Sequence, residues 1–184
     1  QMCIRDRLQS SSDGKPRIVL DLQNTTEMAI STNMLSLETN SQSSFWTNQQ
    51  ITKSQTLLQG TTNFELTSSG SPVIFYHLND LKIKTYTGFT AIQSQIAITA
   101  SDVTYLSSLN GPSGEEYLVY YSPGLDTIYM NERTNQGWNE QIVATSASIS
   151  SPILLLVNNT GSPIIVYLDD MEKELNVATL NGTW

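Results

Sequence analysis

Residues 151–184 have the sequence SPILLLVNNTGSPIIVYLDDMEKELNVATLNGTW. Two apolar runs, residues 153–157 and 164–168, flank a polar turn that contains Gly161. An acidic turn follows, and an alternating segment at residues 175–179 precedes the final Gly-x-Trp. Short apolar or alternating segments joined by polar turns are typical of an antiparallel meander. We therefore predict that this stretch forms a unit of antiparallel β-sheet.

The same pattern occurs three more times along the chain. Pro163 opens the second strand of the unit, and Tyr167 lies four residues later. The corresponding residues are Pro72 with Tyr76, Pro16 with Leu20, and Tyr120 in a copy that lacks the proline. These anchors recur after 56, 44 and 47 residues. A repeat in the mid-forties with about four short strands is the signature of β-propeller blades.

The strands of each copy differ in a consistent way. The second strand is almost continuously apolar, which suits a strand covered on both faces. The third strand alternates, as Ile128 and Met130 show, so its apolar side chains share one face. The first interval between repeat anchors, from Leu20 to Tyr76, is the longest. It contains residues 34–44, which we interpret as an extended polar loop. We predict an all-β chain, a β-propeller fragment with about four blades of four-stranded antiparallel sheet.

The predicted blade boundaries follow from the repeat. We place the blades at residues 8–55, 56–97, 98–147 and 148–184. Residues 1–7, QMCIRDR, fit no blade and resemble the translated adapter that begins open reading frames from environmental, metagenomic assemblies. We interpret them as non-native. Blade one lacks a convincing first strand and blade four lacks a fourth, so we expect truncated ends that expose apolar faces and favour self-association.

Composition narrows the classes of partner. The formal net charge of −8 opposes binding to phosphate backbones and anionic lipid, so we expect no nucleic-acid partner. No apolar run approaches the roughly 18 residues that span a bilayer, so we expect no membrane insertion. The single cysteine, Cys3, lies in residues 1–7 and offers neither a disulfide nor a thiolate metal site. We predict no cofactor and no metal, and the oligomeric state stays open.

Localisation depends on weaker signals. The chain is rich in Ser, Thr, Asn and Gln and poor in Lys. It contains three triplets for N-glycosylation, which begin at Asn24, Asn158 and Asn181. These features favour a secreted, extracellular protein.

Catalytic signals are few. A Ser–His–Asp triad needs a histidine, and the one present, His77, follows an apolar strand as a polar residue at its end. The acidic turn at residues 169–174 has no calcium-loop spacing and suits a solvated turn. The S-x-D-x-G-x-x-W box of sialidase-type propellers has no match. A glycosidase needs two carboxylates at a set separation, which the sequence does not show. We expect a protein that is not an enzyme.

Residues that break the repeat are the better ligand candidates. Aromatic rings at a fixed repeat position are first a packing signature, whereas irregular aromatic and polar residues suit a shallow glycan site. Tyr and Trp faces stack on sugar rings, and Glu, Arg and Asn hydrogen-bond to hydroxyls. The candidate ligand-binding residues are Tyr86, Tyr121, Tyr129, Glu132, Arg133, Asn135 and Trp138. The predicted partner is a glycan or glycoprotein, although an ordinary protein surface could carry the same set.

Blade three, EEYLVYYSPGLDTIYMNERTNQGWNEQIV at residues 115–143, resembles the repeat of fungal fucose-specific propeller lectins. The resemblance implies a six-bladed propeller whose sugar sites use a strand-two Arg and a strand-three Glu. This chain has apolar residues at all eight matching positions: Ile18, Ile74, Leu118 and Ile165, then Ile30, Ile83, Met130 and Val177. The sugar-binding residues of that family therefore do not carry over.

The sequence thus favours a non-catalytic, lectin-like propeller that recognises carbohydrate. One alternative is a fragment of a propeller glycoside hydrolase whose catalytic carboxylates lie partly outside this chain. A protein-interaction scaffold is the other.

Overall fold

In a computed structural model, the described residues form antiparallel β-sheets joined by turns. They are residues 6–10, 16–24, 29–39, 44–54, 62–66, 72–78, 80–87, 90–100, 102–111 and 114–180. Within these ranges there is no helix, and hence none long and apolar enough to cross a membrane. The predicted all-β class, with about four blades of antiparallel sheet, is confirmed.

The chain divides into two compact units, Gln1–Ile96 and Ala97–Trp184. The strands that begin in the first unit form two sheets, which we call sheets 1 and 2. Sheet 1 has the order β1(Asp6–Ser10), β2(Pro16–Asn24), β3(Ala29–Thr39), β4(Ser44–Ser54). Sheet 2 has the order β5(Thr62–Leu66), β6(Pro72–Leu78), β7(Asp80–Thr87), β8(Thr90–Ile98).

The second unit contains sheets 3 and 4. Sheet 3 has the order β9(Thr104–Asn110), β10(Glu116–Ser122), β11(Thr127–Thr134), β12(Gly137–Thr145). Sheet 4 has the order β13(Leu154–Val157), β14(Pro163–Asp169), β15(Glu174–Thr179). In every sheet the spatial order of the strands equals their order along the chain, which is the meander that the repeat predicted.

Two details of sheet 1 differ from the expectations. The sequence predicts a loop at residues 34–44, but β3 runs to Thr39 and β4 begins at Ser44, so most of this segment belongs to two paired antiparallel strands. Its polar residues suit strands with one solvated face as well as they suit a loop. Sheet 1 also has a first strand, Asp6–Ser10, which begins inside the seven residues interpreted as non-native. The division at residue 7 stays a prediction, as do the other blade boundaries.

Sheets 3 and 4 share one hydrophobic core in the second unit. Sheet 3 contributes Val119, Ile128 and Met130, and sheet 4 contributes Leu155 and Ile165. All five side chains are at most 5% exposed, and burying an aliphatic side chain to this extent contributes about 1.5–3 kcal/mol.

A buried hydrogen bond reinforces the contact between these sheets. The Tyr117 hydroxyl of β10 donates to the Gly161 carbonyl in the turn between β13 and β14, at 3.1 Å. Burial, and after it the nearby charges of Glu132 and Glu115, raises the pKa of Tyr117. The hydroxyl is therefore a proton donor throughout the neutral range, and it ties the two sheets together at this turn.

The backbone conformation at residue 137 explains why a glycine precedes Trp138 in this blade. β11 and β12 are joined by a tight turn at residues 135 and 136, and Gly137 has φ of +121°. A side chain is strained in that region of φ, whereas glycine is not. The Thr134 hydroxyl donates to the Gly137 carbonyl at 2.9 Å and so closes the turn.

Candidate functional site

Two irregularities in sheet 3 lie on either side of a pair of tyrosines. Tyr120 of β10 lies directly opposite Tyr129 of β11 in the strand register. β9 is bulged opposite Tyr120, where Tyr105 takes a positive φ of 50°, and β12 is bulged between the partners of Ile128 and Tyr129. Bulges bend a strand and redirect its side chains, and they are common beside functional sites. The two rings stack with centroids 5.3 Å apart and planes 24° from parallel.

Tyr120 positions a carboxylate from the neighbouring part of the sheet. Its ring is 3% exposed, and its hydroxyl donates to Glu140 Oε2 at 2.8 Å. Burial raises the pKa of Tyr120 far above its ordinary value, and the hydrogen bond to Glu140 raises it further. Tyr120 is therefore a permanent proton donor that orients Glu140. Glu140 is exposed, so its carboxylate can also accept a hydrogen bond from a ligand.

A second carboxylate, Asp102, is held by the turn that follows β10. The Gly124 amide donates to Asp102 Oδ2, and the Ser122 hydroxyl donates to the same oxygen at 3.4 Å. A Cβ atom on Gly124 would lie 2.8 Å from that oxygen, which is closer than such contacts allow. The glycine thus lets the turn approach the carboxylate closely.

These groups line one open cavity of about 420 Å³, which we call the Tyr129 cleft. Its lining residues are Thr99, Ala100, Asp102, Tyr120, Ser122, Gly124, Leu125, Tyr129 and Glu140. The volume lies in the range of small-molecule sites, roughly 300–1,000 Å³. The cleft combines an aromatic ring with two carboxylates and a hydroxyl, which is a set suited to a ligand with both an apolar face and hydroxyl groups. No group of three or more His, Cys, Asp or Glu residues that could hold a metal occurs among the described residues.

Four of the predicted ligand-binding residues lie together elsewhere, around the β11–β12 turn. Arg133 lies opposite Trp138, with its guanidinium carbon 5.6 Å from the ring centroid. It also forms an ion pair with Glu116 at 3.3 Å. Glu132, Arg133 and Asn135 line one shallow depression in the surface, and Asn135 and Trp138 line another beside it. The structure therefore brings these four residues together, away from the Tyr129 cleft, and their role in ligand binding stays a prediction.

The other three predicted residues have three different settings. Tyr129 lines the Tyr129 cleft. Tyr121 is 4% exposed in the core, where its hydroxyl lies 3.0 Å from Asp126 Oδ1 and 2.9 Å from the Ala147 carbonyl. Tyr86 belongs to β7, and its side chain lies outside the described residues, as does that of His77 in β6.

Two residues of the cleft, Asp102 and Glu140, were not among the sequence candidates. Each is a single carboxylate without a motif around it. Strand register is the signal that could have found Asp102, because Thr104 pairs with Tyr121 and so places Asp102 beside the turn after Ser122. Glu140 pairs with Asn131 rather than with Tyr120, so its contact with Tyr120 is diagonal and depends on side-chain length.

Comparisons with known proteins give one structural similarity and no sequence family. No protein-family model matches the chain, and a search of curated proteins finds no match. Among solved structures, the chain is similar to one described as a bifunctional GH43-CE from Bacteroides eggerthii, with a TM-score of 0.54 and 12% identity. The match covers 99% of this chain and 26% of that one. At this identity the likeness shows the fold alone, and that fold is propeller-like.

This similarity corrects two expectations. The neighbour is a propeller-type glycoside hydrolase and esterase, so the likeness supports the predicted propeller and does not point to a fungal fucose lectin. The prediction that the chain is not an enzyme is wrong on this comparison. It depended on missing motifs, yet glycoside hydrolysis needs only two carboxylates placed by the fold, and their placement cannot be read from an unaligned sequence.

Proposed function

We propose that this chain is part of a propeller-type carbohydrate-active enzyme of the glycoside hydrolase class, and that it contacts saccharide in the Tyr129 cleft. The observation that carries the proposal is the cleft itself, in which two separately anchored carboxylates face one cavity beside an aromatic ring. The fold likeness to a glycoside hydrolase supports it. The chain spans about a quarter of that protein, so the activity of a whole enzyme belongs to the proposal.

The aromatic part of the cleft suits a sugar ring. Tyr129 is half-buried, and Tyr120 supports it from one side by stacking. A ring held in this way loses little rotamer freedom when a ligand packs on it. Tyrosine combines a flat apolar body with a polar tip, which matches the alternation of C–H and hydroxyl groups on a sugar.

The polar part of the cleft supplies hydrogen-bond acceptors. Glu140 is oriented by Tyr120, and Asp102 is oriented by the Gly124 amide and the Ser122 hydroxyl. Carboxylates that accept hydrogen bonds from sugar hydroxyls form the stronger, charge-assisted kind. We propose Glu140 and Asp102 as the carboxylates that contact the reacting sugar, because glycoside hydrolysis uses a pair of such groups. A ligand that carries phosphate or carboxylate would be repelled.

The test measures saccharide binding and hydrolysis with the 184-residue chain. Neutral oligosaccharides on an array, followed by titration calorimetry, report binding, and chromogenic aryl glycosides report hydrolysis. We expect neutral sugars to bind, and we expect Glu140→Gln and Tyr129→Leu to weaken binding at least tenfold.

Glu132→Gln is the matched control. It removes the same charge from a neighbouring strand of sheet 3, but from a residue outside the Tyr129 cleft. Its binding should stay within twofold of that of the wild type. The proposal fails if the folded chain neither binds nor cleaves any neutral saccharide, or if Glu132→Gln weakens binding as much as Glu140→Gln does.

A further inference from the structure

One face of sheet 4 is aliphatic and exposed, and we call it the outer face. Opposite residues of antiparallel strands place their side chains on the same side of the sheet. Leu154, Val166 and Val177 form one row across the three strands, and Leu168 pairs with Leu175 in another. Leu154, Leu175 and Val177 are 54%, 70% and 62% exposed. The alternate row, with Leu155 and Ile165, faces the core instead.

The outer face corresponds residue by residue to a buried face of sheet 3. The repeat aligns Tyr120 with Tyr167, so Val166 and Val177 correspond to Val119 and Met130. The strand register agrees, since Val119 pairs with Met130 as Val166 pairs with Val177. In sheet 3 both residues are 0% exposed, because this is the face that packs on Leu155 and Ile165 of sheet 4. Sheet 4 therefore carries, at the equivalent repeat positions, a surface of the kind that packs against another sheet in sheet 3.

We infer that the outer face is an interface, and that in solutions of this chain its occupant is the outer face of a second copy. Eight large hydrophobic side chains are exposed among the described residues, and six of them belong to sheet 4 or to its β14–β15 turn. A second copy therefore offers its most apolar described surface at its own outer face. Two such faces can pack directly, as the sheets of a sandwich do at about 10 Å separation.

The surroundings of the outer face set the strength of this contact. The residues named on the face are uncharged, and edge strand β15 has no proline or lysine, two of the devices that keep sheets apart. The turn at residues 170–173 and Glu174 place acidic groups at one end, and each copy carries a net charge of −8. Three strands of about six residues cover roughly 14 by 20 Å. This is small beside the roughly 800 Å² per partner of a standard interface, so the dimer is weak and salt-dependent.

Sedimentation equilibrium tests the inference across a range of chain concentrations, at low and at high sodium chloride. We expect a monomer–dimer equilibrium that tightens with salt, because screening reduces the repulsion between two acidic copies. The double variant Leu175→Thr with Val177→Thr places β-branched threonine, which favours strands, at both positions while making the face more polar. We expect it to weaken dimerisation at least tenfold, with unchanged circular dichroism.

Ile142→Thr is the matched control, because Ile142 is 53% exposed on a strand of sheet 3 and lies outside the outer face. Its dimerisation should equal that of the wild type. A wild-type chain that stays monomeric at all concentrations overturns the inference. Dimers that persist in the double variant also overturn it, since they would point to backbone pairing at the β15 edge. This test is independent of sugar binding, so its failure leaves the proposed function unaffected.

Discussion

Replacing Tyr120 by Phe should make the second unit less stable at neutral pH but more stable than the wild type at high pH. The substitution keeps the buried ring and removes the hydroxyl that donates to Glu140 at 2.8 Å. A hydrogen bond to a charged acceptor contributes about 1.5–3 kcal/mol when both groups are buried. Glu140 is exposed and can rehydrate, so we expect a loss of about 1 kcal/mol at pH 7.

At alkaline pH the same hydroxyl lowers the stability of the folded state relative to that of the Tyr120→Phe variant. The pKa of Tyr120 in the folded chain is raised above the ordinary value of 10.0, by burial first and then by Glu140. A raised pKa of this kind stabilises the folded state fully below pH 10, and the stabilisation is lost as the pH rises, because the unfolded tyrosine ionises first. The loss is about 1.4 kcal/mol per pH unit for one such group. The stabilities of the wild type and the variant should therefore cross at about pH 11.

Urea unfolding, followed by far-ultraviolet circular dichroism from neutral pH to above the expected crossing, measures both stabilities. The difference between the two proteins isolates Tyr120, because every other titrating group is common to both. Curves that stay parallel up to pH 11.5 would show that Tyr120 is neither held protonated by its burial nor bonded to Glu140 in the folded protein.

Four further predictions concern the stability of the second unit. Ile165→Ala removes a fully buried side chain from the core between sheets 3 and 4 and should cost about 2–5 kcal/mol in urea unfolding. Leu175→Ala, on the same sheet but 70% exposed, should cost less than about 1 kcal/mol in dilute solution. Gly137→Ala forces a side chain into positive φ and should cost about 1 kcal/mol or more. Tyr117→Phe leaves the Gly161 carbonyl without its buried donor and should lower stability by about 1–3 kcal/mol, which thermal melts would detect as a lower Tm.

The fold could be predicted from the sequence because it depends on short-range patterns. Continuous apolar runs and alternating segments recur at a regular spacing, and each copy carries its own turn residues. The near-continuous burial of β10 shows why the second strand is apolar on both faces. Sheet 1 was harder, since the polar residues of β3 and β4 have the composition of a loop. Only their pairing over ten positions reveals two antiparallel strands.

The candidate site could be predicted only in part, because its contacts cross strands. Arg133 and Trp138 are near in sequence and lie opposite each other at a tight turn, so a local pattern places them together. Asp102, Ser122 and Glu140 are distant along the chain and meet only after sheet 3 has formed. Tyr121 shows the converse case, since its irregular position in the repeat predicts a ligand contact, whereas its side chain lies in the core.

Three of the positions that would hold a sugar in the resembled lectins are buried in this chain. Leu118, Met130 and Ile165 are all 0% exposed, and each fills a core where a charge would need a partner. An unpaired arginine or glutamate at any of these three positions would cost several kcal/mol, so their apolar side chains serve packing. Val177, the remaining such position in the second unit, is instead exposed on the outer face. The two carboxylates that we propose for sugar contact lie instead in the segment before β9 and in strand β12, where Glu140 is exposed and Asp102 is only partly buried. Any sugar that this unit recognises is therefore expected at the Tyr129 cleft and not on the faces between the sheets.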